Sequence, residues 1–377
     1  MRKTIKKLAI LGSTGSIGYQ TLEVIRLFRD RFEITCLAAG NNIKDFSYQV
    51  AEFQPRFTFC SDNTKVKGKD GHLSLEEMSS HPDIDLVIIA TTGKTGLQPA
   101  LAAIQAGKTV AIANKEILVM AGEIITSMAT QHKSTILPID SEHSAVWQCL
   151  RGETSEIKRL LLTASGGPFF SHPQSKLTDV TVKQALTHPT WKMGKKVTID
   201  SATLFNKGME AIEAHWLFNI PYERIEILIH RQSVIHSMVE FIDGSIKAQL
   251  SIPDMRLPIQ YALFYPERID NPSLSRIDFN MIRELTLEPV NYDQFPCLKL
   301  ALEAARKGAS YPVALCAADE IAVQLFLENK IKFTDIARII ETVLNLHKPS
   351  QCSRLEDILS TDALAREIAL KAATEGQ

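Results

Sequence analysis

Two pairs of carboxylates are spaced so that the members of each pair share one side of the element that carries them. Asp140 and Glu142 follow a predicted strand, and they point the same way if the chain stays extended there. Glu210 and Glu213 lie three residues apart and share one face of a predicted helix. Because such oxygen ligands suit Mg²⁺ or Mn²⁺ better than zinc, the spacing indicates a divalent-cation site. For each carboxylate alone, and for the adjacent His143, a solvated or structural role is the alternative.

Two turn-rich segments collect the groups that bind a phosphate. Residues 163–168 read TASGGP and residues 200–207 read DSATLFNK, so together they supply hydroxyl, amide, cationic and glycine groups. Charge-assisted hydrogen bonds and glycine-containing turns are common means of holding a phosphate. The two segments predict a small, charged substrate.

Between these segments lies a run with a titratable and an aromatic side chain, residues 188–195 (HPTWKMGK). Pro189 and Gly194 bracket Trp191, so the run can pivot between two turn-forming points. We therefore predict a lid that closes over the substrate and excludes water. The alternative is a surface loop whose tryptophan packs on the body of the protein.

A glycine-rich loop follows the first predicted strand and opens the first predicted helix. Residues 12–18 read GSTGSIG, and in this context the backbone N–H groups and the helix dipole can hold a pyrophosphate. The spacing is G-x-x-G-x-x-G, so a tight strand-to-helix turn that binds nothing is the alternative.

The end of the second predicted strand indicates which nicotinamide is used. NAD sites usually place a carboxylate there to bind the ribose hydroxyls, but Gly40, Asn41 and Asn42 offer none. Ser13, Thr14 and Asn41 can hydrogen-bond a 2′-phosphate, and Lys44 is nearby. The pattern favours NADP(H).

The elements that must position these residues divide the chain into an α/β fold with several domains, as expected for 377 residues. Short apolar runs alternate with helical segments up to about residue 140, which predicts a Rossmann-like, doubly wound NADPH-binding domain. Residues 141–265 are richer in strands and predict an α+β domain with an antiparallel or mixed sheet. Residues 266–296 are predicted to be a linker, and residues 297–377 a C-terminal helical bundle. Within that bundle Gly308 and Thr361 are placed at helix ends.

The composition excludes several classes of partner. With 42 Lys+Arg against 43 Asp+Glu, the net charge is −1, so neither nucleic acid nor a membrane is indicated. The six cysteines are scattered without metal-binding spacing, which favours a reducing, cytoplasmic compartment. The first apolar run is only four residues long before Gly12, too short for a signal peptide.

The motifs occur together in an order that resembles one family. The runs GSTGSIG (12–18), ANKE (113–116), DSEH (140–143), SGGP (165–168), HPTWKMG (188–194) and NKGME (206–210) are similar to the signature of the 1-deoxy-D-xylulose 5-phosphate reductoisomerase family. The match extends over roughly residues 5–370. It implies a homodimeric enzyme of non-mevalonate isoprenoid biosynthesis that uses NADPH and Mg²⁺ or Mn²⁺ to produce 2-C-methyl-D-erythritol 4-phosphate.

The resemblance also implies roles for individual residues. The metal ligands would be Asp140, Glu142 and Glu210. The catalytic residues would be Lys115, Glu142 and His188. The substrate would contact Lys115, Ser141, Glu142, Ser165, His188, Trp191, Ser201, Asn206, Lys207 and Glu210. The cofactor would contact Ser13, Thr14, Gly15, Ser16, Ile17, Gly40, Asn41, Asn42, Asn114, Glu116, Gly194 and Met255.

The implied chemistry is coherent with these groups. The substrate carbonyl and a neighbouring hydroxyl would chelate the metal, a carbon–carbon bond would break and re-form, and the branched aldehyde would take hydride from NADPH. Lys115 would add positive charge beside the reacting oxygens. Fragmentation with re-addition and a direct shift both stay open.

Two other functions fit parts of the pattern, and one segment departs from it. An NADP-dependent dehydrogenase of the semialdehyde or homoserine type would share the first domain and need no three-carboxylate metal site. A sensor would bind NADP without turnover. Residues 90–97 (ATTGKTGL) are more polar than the turn expected in the family, which bears on how the cofactor is held.

Overall fold

The structure is a computed structural model that describes residues 5–62 and 65–374. The strands are β1 (Lys6–Leu11), β2 (Phe32–Ala38), β3 (Phe57–Phe59), β4 (Gly71–His72), β5 (Leu86–Ile89), β6 (Thr109–Ile112), β7 (Ile136–Pro138), β8 (Ile157–Ala164), β9 (Ile225–Ile229), β10 (Ile235–Phe241), β11 (Ile246–Leu250) and β12 (Glu288–Pro289). The helices are α1 (Ser16–Leu27), α2 (Ile43–Phe53), α3 (Leu75–Ser80), α4 (Leu97–Gln105), α5 (Lys115–His132), α6 (Ser141–Leu150), α7 (Val182–Ala185), α8 (Lys195–Ala202), α9 (Phe205–Phe218), α10 (Arg256–Phe264), α11 (Pro296–Lys307), α12 (Tyr311–Leu327), α13 (Asp335–Leu346) and α14 (Leu355–Thr374).

The chain forms two compact units, each assembled from separate stretches. The first unit contains Met1–Ile117, Glu123–Ser144 and Asp254–Ser275, and the second contains Leu118–Gly122, Ala145–Pro253 and Arg276–Gln377. The predicted boundaries at residues 140, 265 and 296 divide the chain differently, because residues 254–275 return to the first unit.

The first unit is built on a parallel sheet with the strand order β4-β3-β2-β1-β5-β6-β7. Its central strand β1 is buried on both faces, since Leu8, Ala9, Ile10 and Leu11 are fully inaccessible. Continuous apolar strands of this kind are typical of parallel sheets covered by helices on both sides. The prediction of a doubly wound α/β fold is confirmed. The sequence analysis missed β3 and β4, which are too short to show a pattern.

The second unit contains a mixed sheet with the order β11-β10-β8-β9-β12, in which only β8 and β9 run parallel. Buried residues of β8, β10 and α9, among them Leu160, Val239 and Ala211, form one hydrophobic core. The mixed sheet agrees with the prediction.

The C-terminal bundle of the second unit is arranged around α12, whose buried residues occupy most of its circumference. Gly308 ends α11 with a φ of +63°, as predicted from its position. The expectation for Thr361 is wrong, because α14 already begins at Leu355 and this threonine lies inside it. Among the described residues no helix is long and apolar enough to cross a membrane.

Candidate functional site

The glycine loop of the first unit is shaped by backbone contacts. The backbone N–H groups of Gly12 and Ser13 both donate to the carbonyl of Ala38, at 2.9 and 2.8 Å. Gly12 has a φ of +94°, and a Cβ there would lie 2.4 Å from the carbonyl oxygen of Ala90. Only glycine therefore lets the loop pass this close to the ends of the strands.

The same loop leads into α1 and presents groups that suit a polar ligand. Gly15 is the N-cap of α1, and a Cβ on Gly18 would lie 2.3 Å from the carbonyl oxygen of Gly12. The buried Ser13 Oγ has no hydrogen-bond partner in the described part of the chain. The other predicted cofactor residues of the loop are at least partly accessible: Thr14, Gly15, Ser16 and Ile17. A helix N-terminus with an unsatisfied hydroxyl beside it fits a pyrophosphate.

A carboxylate that could not be found from the sequence pattern lies in the first turn of α2, after the loop that follows β2. Gly40, Asn41 and Asn42 are exposed, and Asn42 caps α2 by accepting from the backbone N–H of Asp45 at 3.3 Å. Asn42 Nδ2 also donates to the Asp45 carboxylate at 2.7 Å. Hydrogen bonds from Tyr19 and Asn42 lower the pKa of Asp45, so the group is ionised at neutral pH. Two amides therefore occupy the loop itself, with a carboxylate three residues beyond it in the first turn of α2.

The polar turn after β5 has a structural purpose. Asn114, the N-cap of α5, is buried and donates from Nδ2 to the carbonyl of Gly93 at 2.8 Å and to Thr91 Oγ1 at 3.4 Å. Its Oδ1 is buried and, within residues 5–62 and 65–374, has no hydrogen-bond partner. The turn thus orients Asn114 while one of its polar atoms stays available. Glu116 follows in the first turn of α5 and is also buried.

The first carboxylate pair lies at the start of α6. The expectation of an extended chain is wrong, because the helix begins at Ser141. Asp140 and Glu142 nevertheless offer carboxylate oxygens within 4.8 Å of each other. Ser141 connects them: its backbone N–H donates to Asp140 Oδ1 at 3.0 Å, and its Oγ donates to Glu142 Oε2 at 2.6 Å.

A fixed cation lies beside this pair. Lys115 Nζ lies 2.6 Å from Asp140 Oδ2, and only about a tenth of the lysine side chain is exposed. His143 Nδ1 lies 3.9 Å from the same oxygen and is fully buried. The first unit therefore brings together four of its predicted site residues: Lys115, Asp140, Ser141 and Glu142.

In the second unit, His188 lies between two serine hydroxyls. Its Nε2 is 3.0 Å from Ser165 Oγ and 3.1 Å from Ser201 Oγ. The backbone N–H groups of Thr190 and Trp191 both point at Nδ1, at 3.2 and 2.9 Å. Because two donors face Nδ1, that atom carries the lone pair and the proton is on Nε2. Nε2–H is thus directed between the two hydroxyls.

Burial keeps this histidine neutral. Desolvation lowers the pKa of His188 to about 4, since removal from water penalises the imidazolium form. The site therefore offers a neutral N–H donor and two hydroxyls near pH 7. Such groups can bind an anion without first losing a counter-ion.

The second carboxylate site lies in the first turns of α9. Asn206 Nδ2 donates to Glu210 Oε1 at 2.5 Å, and Lys207 Nζ forms an ion pair with Glu210 Oε2. Lys207 and Glu210 are almost fully buried, and so is Glu213 one turn further on. As predicted, Glu210 and Glu213 share one helix.

The proposed lid segment is in contact with the second unit. Residues 187–194 contain neither helix nor strand, and Gly194 is the N-cap of α8. Thr190 Oγ1 lies 3.4 Å from Ser233 Oγ, and the Trp191 ring lies 6.0 Å from the His236 ring. Trp191 is half-buried, so these contacts agree with packing on the body as well as with a closed lid. Met255 lies in the first unit, at the N-cap of α10.

Comparison with protein families finds three matching models along the chain. The model described as 1-deoxy-D-xylulose 5-phosphate reductoisomerase matches residues 8–122. The model of the C-terminal domain of 1-deoxy-D-xylulose 5-phosphate reductoisomerase matches residues 136–218, and that of the DXP reductoisomerase C-terminal domain matches residues 250–368.

Individual relatives are similar over nearly the whole chain. The 1-deoxy-D-xylulose 5-phosphate reductoisomerase of Caldanaerobacter subterraneus subsp. tengcongensis is 49% identical, covering 96% of this chain and 98% of the relative. The Chloroherpeton thalassium enzyme is 47% identical, covering 96% and 97%. A crystal structure of DOX-P reductoisomerase in complex with NADPH, fosmidomycin and magnesium has a TM-score of 0.91 at 40% identity, covering 98% of each chain. The Zymomonas mobilis enzyme in complex with NADPH has a TM-score of 0.89 at 40% identity, covering 98% of this chain and 99% of that structure.

Proposed function

The chain belongs to the 1-deoxy-D-xylulose 5-phosphate reductoisomerase family, and we propose that it converts 1-deoxy-D-xylulose 5-phosphate into 2-C-methyl-D-erythritol 4-phosphate with NADPH and Mg²⁺ or Mn²⁺. The observation that carries this proposal is that the similarity covers both units. A dehydrogenase that shared only a nucleotide-binding unit would not match Glu210 and the phosphate motifs of the second unit. Oxidation of NADPH and skeletal rearrangement therefore belong to one reaction.

We propose that NADPH binds to the glycine loop, to the exposed segment after β2 and to the N-terminus of α5. The available Ser13 Oγ and Asn114 Oδ1, with the N-terminus of α1, fit its phosphates and amide. Asn41 and Asn42 are neutral donors for the 2′-phosphate. The Asp45 carboxylate, in contrast, would repel a 2′-phosphate that lay beside it. Preference for NADPH is tested by comparing kcat/KM for NADPH and NADH, and equal values would refute it.

We propose Asp140, Glu142 and Glu210 as the metal ligands. All three are carboxylates held by hydrogen bonds from Ser141 or Asn206, and hard oxygen donors are what Mg²⁺ and Mn²⁺ prefer. When bound, the metal supplies Lewis acidity at the substrate oxygens, and NADPH supplies the hydride.

The protein's own groups then hold and polarise the substrate. Ser165, Ser201 and neutral His188, with Asn206 and Lys207, are proposed to bind the phosphate. Binding of the phosphate fixes the distance between the phosphate site and the reacting end of the substrate. Lys115, held rigid by Asp140, provides positive charge where negative charge develops on the substrate oxygens.

We further propose that residues 188–195 act as a lid and that Gly194 and Met255 lie near the nicotinamide. Trp191 has the apolar area to cover a small substrate and displace water. Proteolysis within the segment should slow when Mg²⁺ and a phosphonate-bearing hydroxamate are added together. Equal cleavage with and without these ligands would rule out the lid.

The resemblance also leads us to propose a homodimer in the cytosol. In the second unit β11 is an edge strand, and Ile246 and Ile242 expose 51% and 61% of their surface. Exposed edge strands with apolar side chains commonly pair with a second copy. Light scattering should give twice the chain mass, and Ile246→Lys should reduce it.

The proposal of a cytosolic location is supported by the cysteines. All six are free thiols in the described residues, which is usual for proteins of a reducing compartment.

The function is tested by identifying the product. Incubation of the purified protein with 1-deoxy-D-xylulose 5-phosphate, NADPH and Mg²⁺ should give a branched tetrol phosphate by ¹³C NMR. An unbranched, reduced sugar phosphate would instead indicate a plain dehydrogenase.

A further inference from the structure

A buried cluster of one lysine and two aspartates lies outside the residues assigned so far. Lys196 Nζ is 2.8 Å from Asp200 Oδ2 and 2.8 Å from Asp319 Oδ2. Both aspartates are fully buried, while a quarter of the lysine side chain is exposed. Charged groups are buried at high cost unless they are paired, so the geometry of this cluster is tightly specified.

The cluster connects helices that are far apart in sequence. Lys196 and Asp200 lie one turn apart on α8, whereas Asp319 lies in the centre of α12, on the buried side of that helix. Lys196 Nζ also lies 5.6 Å from the ring centre of Phe205, the first residue of α9. The lysine thus fixes α8 against the C-terminal bundle and against the start of α9.

The charges of this cluster are close to balanced. Burial and the neighbouring Asp200 raise the pKa of Asp319 well above its usual range, while Lys196 opposes this shift and Glu320 adds to it. Cys297, on α11, is buried beside both aspartates, and burial raises the pKa of its thiol too, so it contributes no charge. The raised pKa of Asp319 reduces the negative charge that Lys196 has to balance.

The carboxyl end of α8 carries part of the phosphate site. Asp200 directly precedes Ser201, whose Oγ lies 3.1 Å from His188 Nε2. Gly167, with a φ of +64°, passes so close to α8 that a Cβ would lie 2.6 Å from the carbonyl oxygen of Ser201. Because backbone meets backbone here, a shift of α8 must displace both Ser201 and the loop that contains Ser165.

We propose that Lys196 and Asp319 are positioning residues for the substrate phosphate, which they serve by holding α8 and therefore Ser201 in register with Ser165 and His188. This inference rests on the proposed function, because it takes these three side chains to be the phosphate site. It assigns the C-terminal bundle a role in substrate affinity. Neither Lys196 nor Asp319 needs to touch the substrate.

The test compares an apolar and a polar replacement of Asp319. Asp319→Leu removes the partner of Lys196 on α12 and leaves only Asp200 on α8, and it should raise both the KM for 1-deoxy-D-xylulose 5-phosphate and the inhibition constant of inorganic phosphate about tenfold, the size of one lost hydrogen bond. The KM for NADPH should not change, and kcat should change less than KM. Asp319→Asn keeps the shape of the side chain and an oxygen that accepts from Lys196, so it should retain wild-type values.

Asp362→Leu is the matched control. Asp362 is a fully buried aspartate of α14 in the same bundle, and it pairs with Arg366 of its own helix at 2.9 Å. It should lower the melting temperature without changing either constant. An equal rise in both constants for Asp362→Leu, or no rise for Asp319→Leu, would overturn the proposal.

Two further measurements apply if Asp319→Leu does not fold or if the wild-type protein is inactive. If Asp319→Leu does not fold, Lys196→Met at the partly exposed position should give the same tenfold rise, and an unchanged KM would refute the role. If the wild type turned over no substrate, the proposed function would fail. Calorimetric binding of inorganic phosphate to wild type and variants would then decide the positioning role by itself, with equal affinities counting against it.

Discussion

The glycine loop of the first unit and the Ser165–His188–Ser201 cluster of the second are both suited to phosphate groups, but the loop offers backbone groups and the cluster offers side chains. The loop is specified by backbone: Gly12 passes within contact distance of Ala90, and its N–H donates to Ala38. The cluster is specified by side chains that meet through three hydrogen-bonding atoms. The loop should therefore be sensitive to added volume, and the cluster to lost polar atoms and to pH.

This difference also explains why the Ser165–His188–Ser201 cluster depends on an ion-pair support. A backbone loop is fixed by the sheet that it follows, whereas hydroxyls on α8 and on a separate loop need each helix to be held in place. In the second unit Lys196, Asp200 and Asp319 provide that hold.

The largest effect is expected from a side chain of the second unit. Glu210→Gln removes a proposed metal ligand, and since loss of an outer-shell partner alone costs about 10–100-fold in metal affinity, turnover should fall by about 100-fold or more. Binding of NADPH, measured by fluorescence, should persist because the glycine loop is untouched. Calorimetry that showed unchanged Mn²⁺ affinity would transfer the role to Glu213 or another carboxylate.

The loop should respond most strongly to a single methyl group. Gly12→Ala combines a positive φ with a backbone clash, so we expect a loss of about 2–4 kcal/mol in the free energy of unfolding together with weaker NADPH binding. Gly152→Ala is the control, because Gly152 has a φ of +79° but open space around it. It should cost only about 1 kcal/mol. Equal losses in urea titrations would show that the clash with Ala90 is unimportant.

Removal of the imidazole should separate the two sites. His188→Ala deletes the donor shared by Ser165 and Ser201, and we expect the KM for the substrate to rise about tenfold while the KM for NADPH stays the same. Steady-state kinetics with each substrate varied in turn measures both. A parallel rise in the two constants would mean that the cluster and the loop are not independent.

The smallest effect concerns pH. The folded-state pKa of His188, about 4, lies below the value of about 6.5 expected for the unfolded chain, so the unfolded state takes up the proton first. Stability contributed by neutral His188 is therefore complete above about pH 6.5 and is lost as the pH falls towards 4. Denaturant titrations at pH 7, 5.5 and 4.5 should show a steeper decline for the wild type than for His188→Asn. Identical slopes would contradict the lowered pKa.

Much of this structure could be predicted from periodicity and motif order. The strands of the parallel sheet are continuous apolar runs, and the paired carboxylates of α9 have helical spacing, so both were visible in the sequence. The start of α6 could not be predicted, because the residues after a strand that ends at Asp140 are equally compatible with an extended chain and with a helix. The structure shows that the helix begins at Ser141.

What could not be predicted depends on contacts between distant segments. The pair of Lys196 and Asp200 has helical spacing that could have been noticed, but the contact with Asp319 joins positions that no local pattern relates. Asp45 could not be predicted because it lies beyond the loop where a ribose-binding carboxylate is expected. The side chain of Asn42, which caps α2, brings the Asp45 carboxylate next to that loop.

The central claim is that reduction and a metal-dependent rearrangement form one reaction, and the dependence of NADPH oxidation on metal tests it most directly. The rate with 1-deoxy-D-xylulose 5-phosphate should fall to background when a chelator removes divalent cations, and it should return when Mg²⁺ or Mn²⁺ is added in excess. Binding of NADPH should be the same in both conditions. Oxidation that continued at full rate in the presence of the chelator would contradict the account and favour a plain dehydrogenase.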